Sequence, residues 1–133
     1  MQLTPEDKAE LQRLFSNAYS GLNSQNWTRS VNETDLCMYN NSNGYKCAIG
    51  FSIEPLEYDS SMELIALGSG LEEVILIALG VENASNDLHK AIVELQRLHD
   101  TSNSPIGMKQ MFENFASWYQ IEIPDSNYRI TYH

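Results

Sequence analysis

Apolar positions near the start of the chain recur at helical spacing. Leu11, Leu14, Phe15, Ala18, Tyr19 and Leu22 fall three and four residues apart, the period that lines one buried face of a helix. Thr4 is placed as an N-cap, Pro5 suits the first helical position, and Glu6 and Asp7 fall where the helix dipole favours negative charge. The pattern predicts a helix from about Pro5 to about Leu22, weakening through Gly21, Asn23 and Ser24. A polar, irregular stretch through Trp27 and Val31 to Asp35 follows.

From Cys37 to Ile53 the pattern becomes one of strand and turn. Cys37-Met38-Tyr39 and Tyr45-Lys46-Cys47-Ala48-Ile49 flank Asn40-Asn41-Ser42-Asn43-Gly44, and Asn-Gly is a strong hairpin signal. A short antiparallel β-hairpin is predicted. Next come a short helix capped by Asp59 or Ser60 and ended by Gly68 and Gly70, and a second from Leu71 to Leu79 with Gly80 past its end. The unbroken apolar run of the second predicts deep burial. A third starts near Asn83 or Ser85 and sets Leu88, Ile92, Leu95 and His99 on one stripe. Ser104-Pro105 opens a last helix carrying Met108, Met111, Phe112, Phe115, Trp118 and Tyr119; Pro124 stops it, and Tyr128 to Tyr132 is a candidate terminal strand. The expected fold is α+β and mainly α-helical, with four to five helices packed on one short antiparallel β-hairpin in a single domain, 1–133.

Composition fits that domain, since 133 residues with 42% apolar side chains can bury a core without a metal or disulfide. Charge adds more. The net value is −10, and Glu54, Glu57, Asp59, Glu63, Glu72, Glu73, Glu82 and Asp87 lie in a stretch between Lys46 and Lys90 that has no lysine or arginine. This argues against direct binding to nucleic acid or an anionic membrane, both of which need a basic surface. Segregated acid reads as a solvated face or as a docking surface for a basic partner. Met1 to Asp7 has no signal-peptide character, and the best apolar run, Val74 to Leu79, is far short of a membrane span of roughly 18 residues, so a cytoplasmic protein is expected. The sequons at Asn26, Asn32, Asn40 and Asn83 carry no weight without a secretory signal.

Chemistry concentrates on few residues. Cys37 and Cys47 point to opposite faces if Asn43-Gly44 is a two-residue turn, and become diagonal neighbours if Ser42-Asn43-Gly44 forms a bulged loop. Both are expected to be reduced. Two cysteines and the unpaired histidines His89, His99 and His133 do not make a zinc set, and no cofactor is expected. A thiol nucleophile would require Cys47 with His99 as base and Asp100 assisting, against the plainer reading of a packed thiol and a core-edge histidine. A small nucleotide signal would require Tyr39, Lys46 and Arg97 to converge on one cavity. Gly68-Ser69-Gly70 lacks the spacing of a phosphate or dinucleotide loop.

Cys37-Met38-Tyr39, Gly44-Tyr45-Lys46-Cys47-Ala48-Ile49-Gly50, Ile53, Tyr58 through Met62-Glu63, and Leu95-Gln96-Arg97-Leu98-His99-Asp100 together resemble a family of small proteins encoded by tailed phages, prophages and many bacteria. Asn40 departs from the arginine often found there, and Phe51 from a cysteine or histidine. The resemblance implies that the Cys37 to Glu63 block meets the His99-Asp100 helix end. It also implies a phage setting, and hence a small acidic binding or inhibitory protein acting on a host defence protein with a basic surface. A Cys47–His99 hydrolase or transferase and a nucleotide binder are the alternatives.

Overall fold

The computed structural model describes residues 3–65 and 72–132. Four α-helices, α1 (Pro5–Ser24), α2 (Glu73–Leu79), α3 (Asn86–Asp100) and α4 (Pro105–Tyr119), are joined by loops that carry 3-10 turns at Ile49–Ser52 and Ser60–Leu64. Each long helix begins on the cap its sequence supplies. Thr4, Ser85 and Ser104 accept the backbone N–H of Asp7, Leu88 and Gly107 respectively, with Pro5 and Pro105 following two of them. Gly80 and Gln120, both left-handed, end α2 and α4. Thus α4 stops at Tyr119, before Pro124 is reached.

The apolar stripes of α1 and α3 bury as their spacing predicts. They meet Phe112 and Phe115 of α4 in one hydrophobic cluster that also takes in Trp27, Cys47, Ile49, Phe51 and Ile53. Phe15 stacks on Phe115 at 5.9 Å, and Trp27 packs edge-on against Tyr19 and Phe112. The first 3-10 turn lies against α1, where the Phe51 ring fills the space a side chain at Gly21 would need. Gly50 is pressed as closely on the Tyr39 carbonyl oxygen. Arg13 of α1 donates to the Leu79 carbonyl at 2.7 Å, placing a cation at the C-terminus of α2.

The expected hairpin does not form: no β-strand occurs among the described residues, and the fold is α-helical. The turn itself is present. Asn41 Oδ1 accepts the N–H groups of Asn43 and Tyr45, and Gly44 is left-handed. What fails is the ladder, because distant groups take the backbone donors and acceptors it would use. The Glu63 carboxylate accepts the N–H groups of Tyr39 and Asn40, the Gln25 amide bonds both N–H and carbonyl of Lys46, and Gln96 accepts the Ile49 N–H. Isolated bridges, Val31 with Cys37 and Asn40 with Lys46, are what remains of strand pairing.

Two further expectations change. Tyr128 to Tyr132 is not a strand, since Asn17, buried on α1, binds the Thr131 N–H and carbonyl and the Tyr128 hydroxyl, and so ties the segment to a helix. The second predicted helix is less buried than its apolar run suggested. Among its described residues only Ile75 and Leu79 are inside, while Val74 and Ile77 are 49% and 52% exposed; Leu71, its expected start, lies outside the described residues. Gly68 and Gly70, expected to end the first short helix, lie outside the described residues.

Candidate functional site

The C-terminal end of α3 meets the loop from Arg29 to Asn40, and a cavity of about 390 Å³ opens between them and the second 3-10 turn. Cys37, Tyr39, Glu63, Arg97 and Asp100 contribute its polar groups. α3 brings Gln96, Arg97, His99 and Asp100 there because its apolar stripe turns the fully buried His99 inward, while Arg97 and Asp100 flank it.

His99 has no ring nitrogen to spare. The Ser30 N–H donates to Nε2 at 2.9 Å, and a backbone N–H can only donate, so Nε2 is unprotonated and the ring hydrogen sits on Nδ1. That hydrogen is donated to Asp100 Oδ1, 2.9 Å away, where the Gln96 amide also donates at 2.8 Å. Burial pushes the Asp100 carboxyl up, but hydrogen bonds from His99, Cys37 and Gln96 outweigh it and hold it below the usual carboxylate range.

The thiol of this cluster is Cys37. Its Sγ receives an Arg29 guanidinium N–H at 3.3 Å, yet burial dominates and, with Asp100 nearby, raises the thiol above its ordinary value. Cys37, His99 and Asp100 have candidate ligand atoms within 4.8 Å of one another, the spacing of a metal site. The hydrogen bonds argue otherwise: a metal on Nδ1 would displace its hydrogen and leave Nε2 protonated against the Ser30 N–H. The His99 ring and the Gln96 amide aim the Asp100 carboxylate, and the Cys37 thiol lies against the Asp100 backbone carbonyl.

Cys47 lies elsewhere, wholly inside the core, where burial drives its thiol far upward against smaller opposing hydrogen bonds from Gly50 and Gln96. Both His99 nitrogens are occupied by Ser30 and Asp100, so the Cys47–His99–Asp100 arrangement has no base-to-thiol hydrogen bond behind it. Of the three residues considered for a nucleotide, Tyr39 and Arg97 line the cavity. Lys46 instead points its ammonium toward the Phe51 ring, 5.9 Å from the centroid. Sequence reasoning placed the candidate reactive thiol at Cys47 and not at Cys37, whose flanking residues Leu36 and Met38 are apolar and give no signal of its relative exposure.

The eight acids divide. Glu57, Asp59, Glu73 and Glu82 are exposed and Glu54 and Asp87 partly so; none of these six joins an ion pair among the described residues. Glu72 is partly buried where α2 approaches α3. Glu63 serves the fold, its carboxylate accepting from Tyr39, Asn40 and, at 2.6 Å, the Tyr58 hydroxyl. Among the exposed acids stand large apolar side chains that the charge pattern alone did not reveal. Leu56 is 91% and Leu64 89% exposed on either side of Asp59, and Val74 and Ile77 sit one turn apart on α2 beside Glu73. No family model, curated protein or solved structure matches the chain.

Proposed function

We propose that the protein is a binding module whose acidic segment, Glu54 to Asp87, docks on a partner protein with a basic surface. One observation carries this reading: in the stretch that holds the unpaired acids, Leu56, Leu64, Val74 and Ile77 remain exposed. Apolar anchors set among charges are the usual composition of an interface, where burial of the anchors supplies affinity and complementary charge supplies steering and register. The occupied histidine and the enclosed Cys47 favour binding over thiol chemistry. A host protein of a phage-infected bacterium is the partner class that the resemblance of the Cys37 to Glu63 and Leu95 to Asp100 blocks supplies, and inhibition of that host protein is the corresponding role.

The test is affinity capture from a bacterial lysate at low and high salt. A specific partner should be retained at low salt and released at high salt, because screening weakens exposed charge pairs. It should be lost with Glu57→Lys/Asp59→Lys and with Leu56→Ser/Leu64→Ser, both at unchanged thermal midpoint. Retention by both variants sinks the proposal.

A further inference from the structure

The segment after α4 carries a conflict between its sequence and its course. Gln120, Ile121 and Glu122 hold no helix breaker, and the first residue that must end a helix is Pro124. Yet α4 stops at Tyr119 on Gln120, a left-handed residue (φ 56°, ψ 45°) that is not glycine. A β-carbon is crowded in that conformation, so contacts beyond the helix must hold the reversal. Residues 121–132 supply them. They run along α1 from Gln12 to Asn17 without helix or strand, and two amide side chains of α1 grip their backbone. Gln12 binds the N–H and the carbonyl of Glu122 at 2.8 and 2.9 Å, and Asn17 binds those of Thr131 at 3.0 and 2.7 Å while also accepting the Tyr128 hydroxyl. Ile121 enters the core and Ile130 packs against it. α1 thus presents a seat for an extended backbone of this sequence, and the segment that fills it is joined to α4 through a strained hinge.

We propose that residues 121–132 exchange between two copies of this chain: Gln120 leaves the left-handed conformation, α4 continues toward Pro124, and each segment seats on α1 of the other copy. The seat makes the same hydrogen bonds with either segment, so closed monomer and exchanged dimer differ chiefly in the hinge and in the cost of association. Relief at two hinges favours the dimer, and concentration sets the balance. Each copy gives and receives the same segment, which makes the dimer twofold symmetric. The exchange uses neither the acidic segment nor its exposed leucines, so it stands or falls apart from the docking reading.

Size-exclusion chromatography with light scattering, from micromolar to millimolar protein, tests it together with isotope-filtered NMR on labelled and unlabelled chains refolded as an equal mixture. A dimer that grows with concentration is expected, with intermolecular contacts between Tyr128 or Thr131 of one chain and Asn17 of the other. Gln120→Gly, which accepts the left-handed conformation without strain, should weaken self-association about tenfold or more, since both hinges then relax in the monomer. Gln120→Val, whose branched side chain suits that conformation least, should strengthen it. A wild type that stays monomeric at millimolar concentration overturns the proposal. So does a dimer whose Asn17–Thr131 contacts are all intramolecular, or one that Gln120→Gly leaves undiminished.

Discussion

Two cysteines of the same chemistry end in different situations, and their surroundings decide which can react. Cys47 is wholly enclosed, and Cys37 is half-buried at a cavity wall with a guanidinium on its sulfur. Alkylation of the native protein with iodoacetamide should therefore modify Cys37 slowly and leave Cys47 untouched, whereas in denaturant both should react. Peptide mass mapping reads the outcome directly. The choice between the two thiols was only partly legible in sequence. Helical spacing turned His99 inward and set Asp100 beside it, but which backbone N–H would occupy Nε2 depended on Ser30, sixty-nine residues away.

Elements whose hydrogen bonds close locally follow from local sequence. α1, α3 and α4 begin on Thr4, Ser85 and Ser104 because cap and apolar stripe agree, with a first-turn proline besides in α1 and α4. The segment from Cys37 to Ile53 behaves differently. Its turn formed where Asn41 and Gly44 require, while its flanks were claimed by Glu63, Gln25 and Gln96 from other parts of the chain. Glu63 is thus the clamp that replaces a ladder. Glu63→Gln puts an amide donor where carboxylate oxygens now accept two backbone N–H groups, and should lower unfolding stability in urea by about 2 kcal/mol, the scale of a hydrogen bond to a charged group. Surface charge removal at Glu57→Gln should cost far less.

For the whole molecule, acid should act through Asp100 as well as through the general charge. Its folded carboxyl is held below the usual range, so it contributes stability above the ordinary carboxylate range and loses it as pH falls through the folded value. The stability difference between wild type and Asp100→Asn, measured by urea unfolding, should be largest near neutral pH and shrink on acidification. A gap unchanged down to strongly acid pH would contradict the assigned hydrogen bonds. The net charge of −10 and its concentration between Lys46 and Lys90 are properties of composition. They do not reveal that Leu56 and Leu64 stand exposed among the carboxylates, or that Glu63 is spent on backbone amides. By itself the sequence determined the three long helices, their N-caps and the buried faces of α1 and α3, because these depend on neighbours three and four residues away. Tertiary structure alone decided the loss of the hairpin, the pairing of Asp100 with His99 and Cys37, and the cavity beside them, because each depends on which remote group reaches an unpaired backbone or side-chain atom.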